Sequence, residues 1–329
     1  MSAVASPGSG GGSRPAVPAG LGQLDAGRFD ARRTEGAGVA DTIRSLRTSL
    51  LLGWRIESNW TDPTLFVIYT VAKPVASLLL LVVMIQIIGG AASDATRTFV
   101  ILGSALWATV IAGIQGPAWS VLDDRERYRM LKYLAVSPST LLVILIGRGG
   151  ARLAAGAMGT AVALVFSVIV LGLRIDLGAV HWPYLVVVLA IGIVPVIAVG
   201  VVLAAICLQT RQESWSYPEA LAGAMFLVTG VVFPLAILPD PVEVIGLLNP
   251  ITWWVEGVRR AIIPTGPTSI GGTGSVWTTV TGTAAPEGVQ VLIALLLTGA
   301  LVTLAATAIF RSSERRARDQ GLLDRTTGS

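Results

Sequence analysis

From about residue 63 to residue 310 the chain is built mainly from long apolar blocks separated by shorter polar stretches. Six blocks, residues 65–88, 99–119, 151–173, 184–208, 218–238 and 289–310, hold roughly the twenty apolar residues that a helix needs to cross the hydrocarbon core of a bilayer. Runs of that length lack the period-2 alternation of a half-buried strand, so each predicts a helix that is apolar on every side. The first has a well-marked start. Asp62 follows Thr61, both types that cap helix N-termini, and Pro63 suits the first helical position, where its missing N–H costs no helical hydrogen bond.

Two segments follow a different rhythm. Over residues 40–62, Ile43, Leu46, Leu50 and Trp54 recur every three or four positions, with Arg44, Thr48 and Arg55 around the other side. This predicts an amphipathic helix lying at the membrane surface, arginines toward anionic headgroups; a helix packed on a soluble partner is the alternative. Residues 239–263 are too apolar for an ordinary loop, yet Pro241, Gly246, Asn249 and Pro250 interrupt them too often for one span. Two short helices that dip into one face and return would fit, held against the bundle because non-helical backbone at membrane depth must be covered by protein or water. Residues 264–288, rich in Gly and Thr, read as an external solvent loop, and residues 312–329 as a cytoplasmic tail. Residues 1–39, rich in Gly, Ser, Pro and Ala, contain no apolar run that would make a signal sequence and read as disordered. The expected fold is therefore an all-α integral membrane protein: an N-terminal amphipathic interfacial helix, a six-helix domain over residues 63–311, and a re-entrant helical hairpin before the last helix.

Composition agrees. Of 329 residues, 53% are hydrophobic and 13% charged, with a mean hydropathy of +0.72, whereas soluble domains carry about a quarter charged residues. Basic residues set the orientation. Of 24, nineteen fall before the first block, in residues 120–152, at Arg211 or after Phe310; Arg97, Arg174, Arg259 and Arg260 fall on the other side, and Lys73 lies within the first block. Both termini are expected in the cytoplasm.

Catalytic chemistry is hard to place. One Cys and one His leave no metal-ligand cluster, and with Lys73 and Lys132 as the only lysines there is no phosphate-binding loop. There is no G-x-S-x-G elbow or His-Glu-x-x-His pair. The second, fourth and sixth blocks contain no Asp, Glu, Lys or Arg, which disfavours an ion-coupled carrier. An enzyme is not expected, and energy for any transport would come from outside the chain.

The most informative polar segment is 120–140. Asp123, Asp124, Arg125, Glu126, Arg127, Arg129 and Lys132 interleave signs, while Leu122, Tyr128, Leu131, Tyr133 and Leu134 supply apolar contacts before Ser137 and Pro138 end the pattern. It reads as a short two-faced helix joining two spans on the basic side. A solvated face would carry the same pattern, but the position suits a surface on which a motor could push.

This run, continued as LAVSPSTLLVILIGRGGARL, resembles the segment after the second helix in permease subunits of type 2 ATP-binding-cassette exporters. The later run, with Pro234, Leu238-Pro239, Asn249-Pro250, Trp253-Trp254 and Arg259, resembles the same family's second signature, and Asp62-Pro63 with Pro74 its first-span pattern. Tyr128 stands where the family usually has a small residue. The similarity extends over residues 40–316, nearest to bacterial drug- and antibiotic-resistance exporters.

The resemblance implies two permease subunits, identical or different, enclosing a pathway in a bacterial plasma membrane. Each would sit on a separate ATPase subunit that binds ATP and Mg; this chain would bind no cofactor, metal or nucleic acid. Asp123, Asp124, Arg125, Glu126, Arg127, Tyr128 and Leu131 would couple to the ATPase together with the connecting helix (Arg44, Arg47, Trp54), Glu126 pairing with Arg44 or Arg47. Pro239, Asn249, Pro250 and Trp253 would form an outer gate, with a structural plug as the alternative. Gly103, Trp107, Gln115, Met225, Phe226 and Thr229 would be pathway candidates, suited to an amphipathic drug, antibiotic or lipid-like molecule; helix packing is the competing role for each. A polysaccharide or glycolipid permease uses the same architecture, and nine Trp are compatible with it. A non-transport scaffold is the remaining class, separable by whether the chain stimulates an ATPase.

Overall fold

The computed structural model describes residues 38–59, 63–88, 94–137, 139–210, 215–264 and 266–322. The expected disorder of the N-terminal segment, the Thr61-Asp62 cap, Pro138, Arg211 and the last seven residues lie outside these. Among the described residues the fold is all-helical. The helices are α1 (Val39–Asn59), α2 (Pro63–Ile88), α3 (Asp94–Leu122), α4 (Leu131–Val136), α5 (Leu141–Ile169), α6 (Trp182–Gln209), α7 (Ser216–Val228), α8 (Asp240–Leu248), α9 (Pro250–Ile262), α10 (Val276–Thr281) and α11 (Gly288–Asp319). A π-helical turn, Asp123–Arg127, continues α3, and a 3-10 turn, Leu235–Ile237, precedes α8.

Five helices, α2, α3, α5, α6 and α11, are long and apolar enough to cross a membrane. Within them α3 is the central post: 67% of its apolar window is buried inside the subunit, against 11% for α2 and 17% for α11, whose outward faces are apolar. Helix α3 packs on α5 and α6, α6 on α11, and α9 closes against α6 and α11. The main core runs through these contacts, with Trp254, Phe310, Leu145 and Ile114 fully enclosed. A smaller cluster joins Leu78 and Val82 of α2 to Ile101 and Ala105 of α3 and Ala163 of α5.

The helices depart from the apolar blocks in four places. Helix α5 begins ten residues before the expected span and takes in Arg148, which is neutralised there by Asp124. The Gly147 and Gly149 pair also lets α1 and α3 approach α5 closely: a Cβ on Gly147 would lie 2.6 Å from that of Ser49, and one on Gly149 2.7 Å from Pro117. Helix α7 stops at Val228 instead of continuing to residue 238, since Gly230 adopts φ +65° and the chain turns into α8. Helix α11 runs past Phe310 into the tail, held by a 2.7 Å hydrogen bond from the Ser313 hydroxyl to the Ala205 carbonyl. The expected solvent loop contains α10, capped by the Ser275 side chain on the Thr278 N–H and ended by Gly282 in the left-handed region.

Candidate coupling end and transport cavity

The mixed-charge segment is not one helix. Helix α3 runs straight into the π turn, the chain breaks at Arg129, and α4 follows. Arg129, at φ +51°, is the one non-glycine residue in the left-handed region among the described residues. The reason is that these charges face opposite ways. Asp124, 1% exposed, forms an ion pair with the equally enclosed Arg148 of α5. Arg125, 4% exposed, donates to the carbonyls of Cys207 and Thr210 at the end of α6, at 3.0 and 3.1 Å. Both are inward anchors, and Leu131 is also buried. The outward side carries Arg127, Met130, Tyr133 and Val136, with Tyr133 68% and Val136 79% exposed.

The link from α1 to this segment runs through a residue the sequence reading did not single out. Arg152 of α5 donates from Nε to Glu57 of α1 and from Nη2 to Asp123, each at 3.0 Å. Its guanidinium lies 6.0 Å from the Trp119 ring centroid. The expected pairing of Glu126 with Arg44 or Arg47 is not the joint: Arg44 faces Asp41 of its own helix at 3.6 Å and Glu126 faces Arg125 at 3.8 Å. Arg148 and Arg152 stand four residues apart on one face of an apolar helix, a spacing that could have revealed them. Ser45 of α1 and Ser139 add a hydroxyl contact at 2.8 Å.

Directly above Arg152 a cavity of about 380 Å³ opens between α2, α3 and α5. Two of the named pathway candidates, Trp107 and Gln115, line it, together with Lys73 of α2 and Trp119; Glu57 and Arg152 form its charged end. The α7 candidates do not line it. Phe226 packs edge-on against Trp107 with centroids 5.0 Å apart, and the Pro218 carbonyl accepts from the Gln115 amide at 3.1 Å, so α7 braces α3 from behind. Thr229 is fully buried, and Gly103 packs against the Val231 backbone and Arg259.

At the far end of α3 the hairpin is two helices broken at Asn249. The Asn249 side-chain oxygen accepts from the Ile251 N–H at 3.1 Å, an N-cap, and Pro250 takes the first position of α9. The Asn249 amide donates to the Met225 sulfur at 3.4 Å, and the Trp253 indole N–H to the Leu247 carbonyl at 2.7 Å. Pro250 and Trp253 are buried and Pro239 is exposed. Arg259, 3% exposed, donates to the carbonyls of Gly230 (2.8 Å) and Val231 and stacks 3.7 Å from the Phe99 centroid. Glu256, fully enclosed, accepts from Arg260 (2.8 Å), the Thr268 hydroxyl (2.6 Å) and the Ser269 N–H and hydroxyl (2.9 and 2.7 Å).

The family model described as ABC-2 type transporter matches residues 47–263, which run from the connecting helix through the coupling segment to the end of the hairpin. The chain belongs to the ABC-2 transporter family. No curated protein matches the chain in sequence. As an ABC-2 permease it is a multi-pass membrane protein and a transport component, and its three clusters fall into place along α3: charged anchors at one end, the cavity beside the middle, and the fastened hairpin at the other end.

Proposed function

We propose that this permease is the transmembrane subunit of an exporter driven by a separate ATPase, moving a small amphipathic molecule of the drug, antibiotic or lipid type. The observation that carries the reading is Arg152, one side chain that lines the cavity and holds both Glu57 of α1 and Asp123 at the root of the coupling segment. Force applied to the segment or to α1 has a direct route to the cavity wall. A volume of about 380 Å³ is at the low end of small-molecule sites and suits an amphiphile better than a polymer.

ABC-2 permeases are typically paired with an ATPase subunit. The ATPase would bind ATP and Mg and press on Arg127, Met130, Tyr133 and Val136, the exposed side of the segment; Asp124, Arg125 and Leu131 would carry the push inward. Six crossings would be completed by α7 with the hairpin α8–α9 returning to the outer face as a gate. Helix α1 would lie at the cytoplasmic surface of a bacterial plasma membrane, with both termini on that side, as the excess of basic residues there supports. A second permease copy, identical or different, would complete the pathway. Co-purification from the native membrane tests this: an ATPase subunit should accompany the tagged chain and be lost with Tyr133→Asp or Val136→Asp. A chain that brings down no nucleotide-binding partner overturns the reading.

A further inference from the structure

Helix α2 is apolar except for a few side chains, and three of them, Thr70, Lys73 and Ser77, recur at three- and four-residue spacing and all line the cavity. Lys73 is the only charged residue of α2. It stands ten residues from the start of the helix and fifteen from its end, about 15 and 22 Å at the helical rise. The apolar span begins at Thr70, three residues before Lys73, and the exposed Lys73 side chain lines the cavity.

The other cation of the lining is already occupied: Arg152 is held between two carboxylates, Glu57 and Asp123. Those carboxylates sit at the cavity's end, while Lys73 belongs to its middle, where the neighbouring Pro74 packs against Gly159, seven residues or about 10 Å along α5 from Arg152. Among the described residues no carboxylate forms an ion pair with Lys73. An ammonium inside a span without a partner is costly, and such residues mark binding sites or pathways. Trp107, Ser104 and Gln115 of α3 line the same cavity, the Ser104 hydroxyl donating to the Val100 carbonyl and the Gln115 amide to that of Pro218.

We infer that the cavity selects amphiphiles bearing an acidic group, a carboxylate or a phosphate, which pairs with Lys73 while the apolar body packs on Trp107. This rests on the reading of the cavity as the transport site and adds the charge of what it takes. An acidic group supplies the partner that the fold withholds. The acid can come from a free amphiphile or from a membrane lipid headgroup; the chemistry is the same.

The test uses the full-length chain in phosphatidylcholine nanodiscs, with a diazirine-bearing fatty acid and the matching fatty alcohol as probes and peptide mapping of the crosslinks. The carboxylate should label the α3 and α5 stretches that line the cavity in a saturable way. Half-saturation should rise about tenfold in Lys73→Gln and return to within about twofold in Lys73→Arg. The alcohol should label all three proteins alike, which also shows that the variants are folded. Equal half-saturation of the carboxylate in the native chain and in Lys73→Gln overturns the inference while leaving a transport cavity. Absence of cavity labelling by either probe overturns both. Replacing part of the phosphatidylcholine with phosphatidylglycerol separates the sources: competition that depends on Lys73 assigns the site to a lipid headgroup, and its absence to a free acidic amphiphile.

Discussion

The two ends of α3 both place charge inside an apolar bundle, yet they neutralise it by different means. At the coupling end most charge meets charge between separate elements, Arg148 with Asp124 and Arg152 with Glu57 and Asp123, while Arg125 is held by the Cys207 and Thr210 carbonyls. At the hairpin end, Arg259 is held mainly by backbone carbonyls, and Glu256 by hydroxyls and a backbone N–H as well as Arg260. Carbonyls fixed in a folded turn cannot follow a moving side chain, so the second arrangement locks one conformation. Ion pairs between helices hold two bodies at a single joint, and a partly exposed joint can open at small cost. On the proposed function, motion would enter at Arg152 and the hairpin would move as a unit with the turn after α7.

The sharpest way to break the comparison is at Arg259. Arg259→Met strips the donor from two buried carbonyls and should cost on the order of 4 kcal/mol, read as early loss of monodisperse protein on heating in detergent. Arg259→Lys should recover little of it, since an ammonium lacks the planar fork that spans both carbonyls. A near-native Arg259→Met would mean that the hairpin end is not the locked one.

At the other end, Arg148→Ala leaves Asp124 as an uncompensated buried charge and should cost about 3–5 kcal/mol in the same assay. The double replacement Arg148→Met with Asp124→Leu should be more stable than the Arg148→Ala single, because it removes both charges. If it is the less stable, the pair does more than cancel charge.

Arg152 is about a quarter exposed, so Arg152→Ala should cost only about 1 kcal/mol of stability. Transport and substrate-stimulated ATP hydrolysis in the reconstituted complex should nevertheless fall at least about tenfold, a split between stability and activity that the Arg259 variants should not show. Unchanged stimulation would sink the idea that the joint transmits force.

The smallest effect expected is for the pairing of Glu126 with α1 that the resemblance implied. A double-mutant cycle of Arg44→Ala with Glu126→Ala should give a coupling energy under about 0.3 kcal/mol, since each side chain faces a residue of its own neighbourhood. A coupling above 1 kcal/mol would restore a direct link between α1 and the π turn.

Much of this could be read along the chain, and the misses have a common cause. Apolar block length marked the five long helices, the three- to four-residue recurrence marked α1, and Asn249-Pro250 marked the break in the hairpin, because each is a local property carried by consecutive residues. The start of α5 was misplaced because a lone Arg148 reads as a span boundary until its partner, 24 positions earlier, is brought beside it. The segment at 120–140 was read as one two-faced helix, because only the positions of α5 and α6 turn Asp124 and Arg125 inward. Of the pathway candidates, Trp107 and Gln115 line the cavity and Met225, Phe226 and Thr229 do not, since the course of α7 depends on the turn at Gly230 and on packing.

By itself, then, the sequence determined an all-helical ABC-2 membrane protein with polar chemistry concentrated at the two ends of an apolar bundle. Which charge meets which was decided by tertiary structure alone. Arg152 reaches Asp123 across 29 positions and Glu57 across 95, and such partners are chosen by how closely helices can approach, at the Gly147 and Gly149 contacts above all. Helical periodicity says which face a residue occupies, but the identity of the facing helix is a property of the packed bundle.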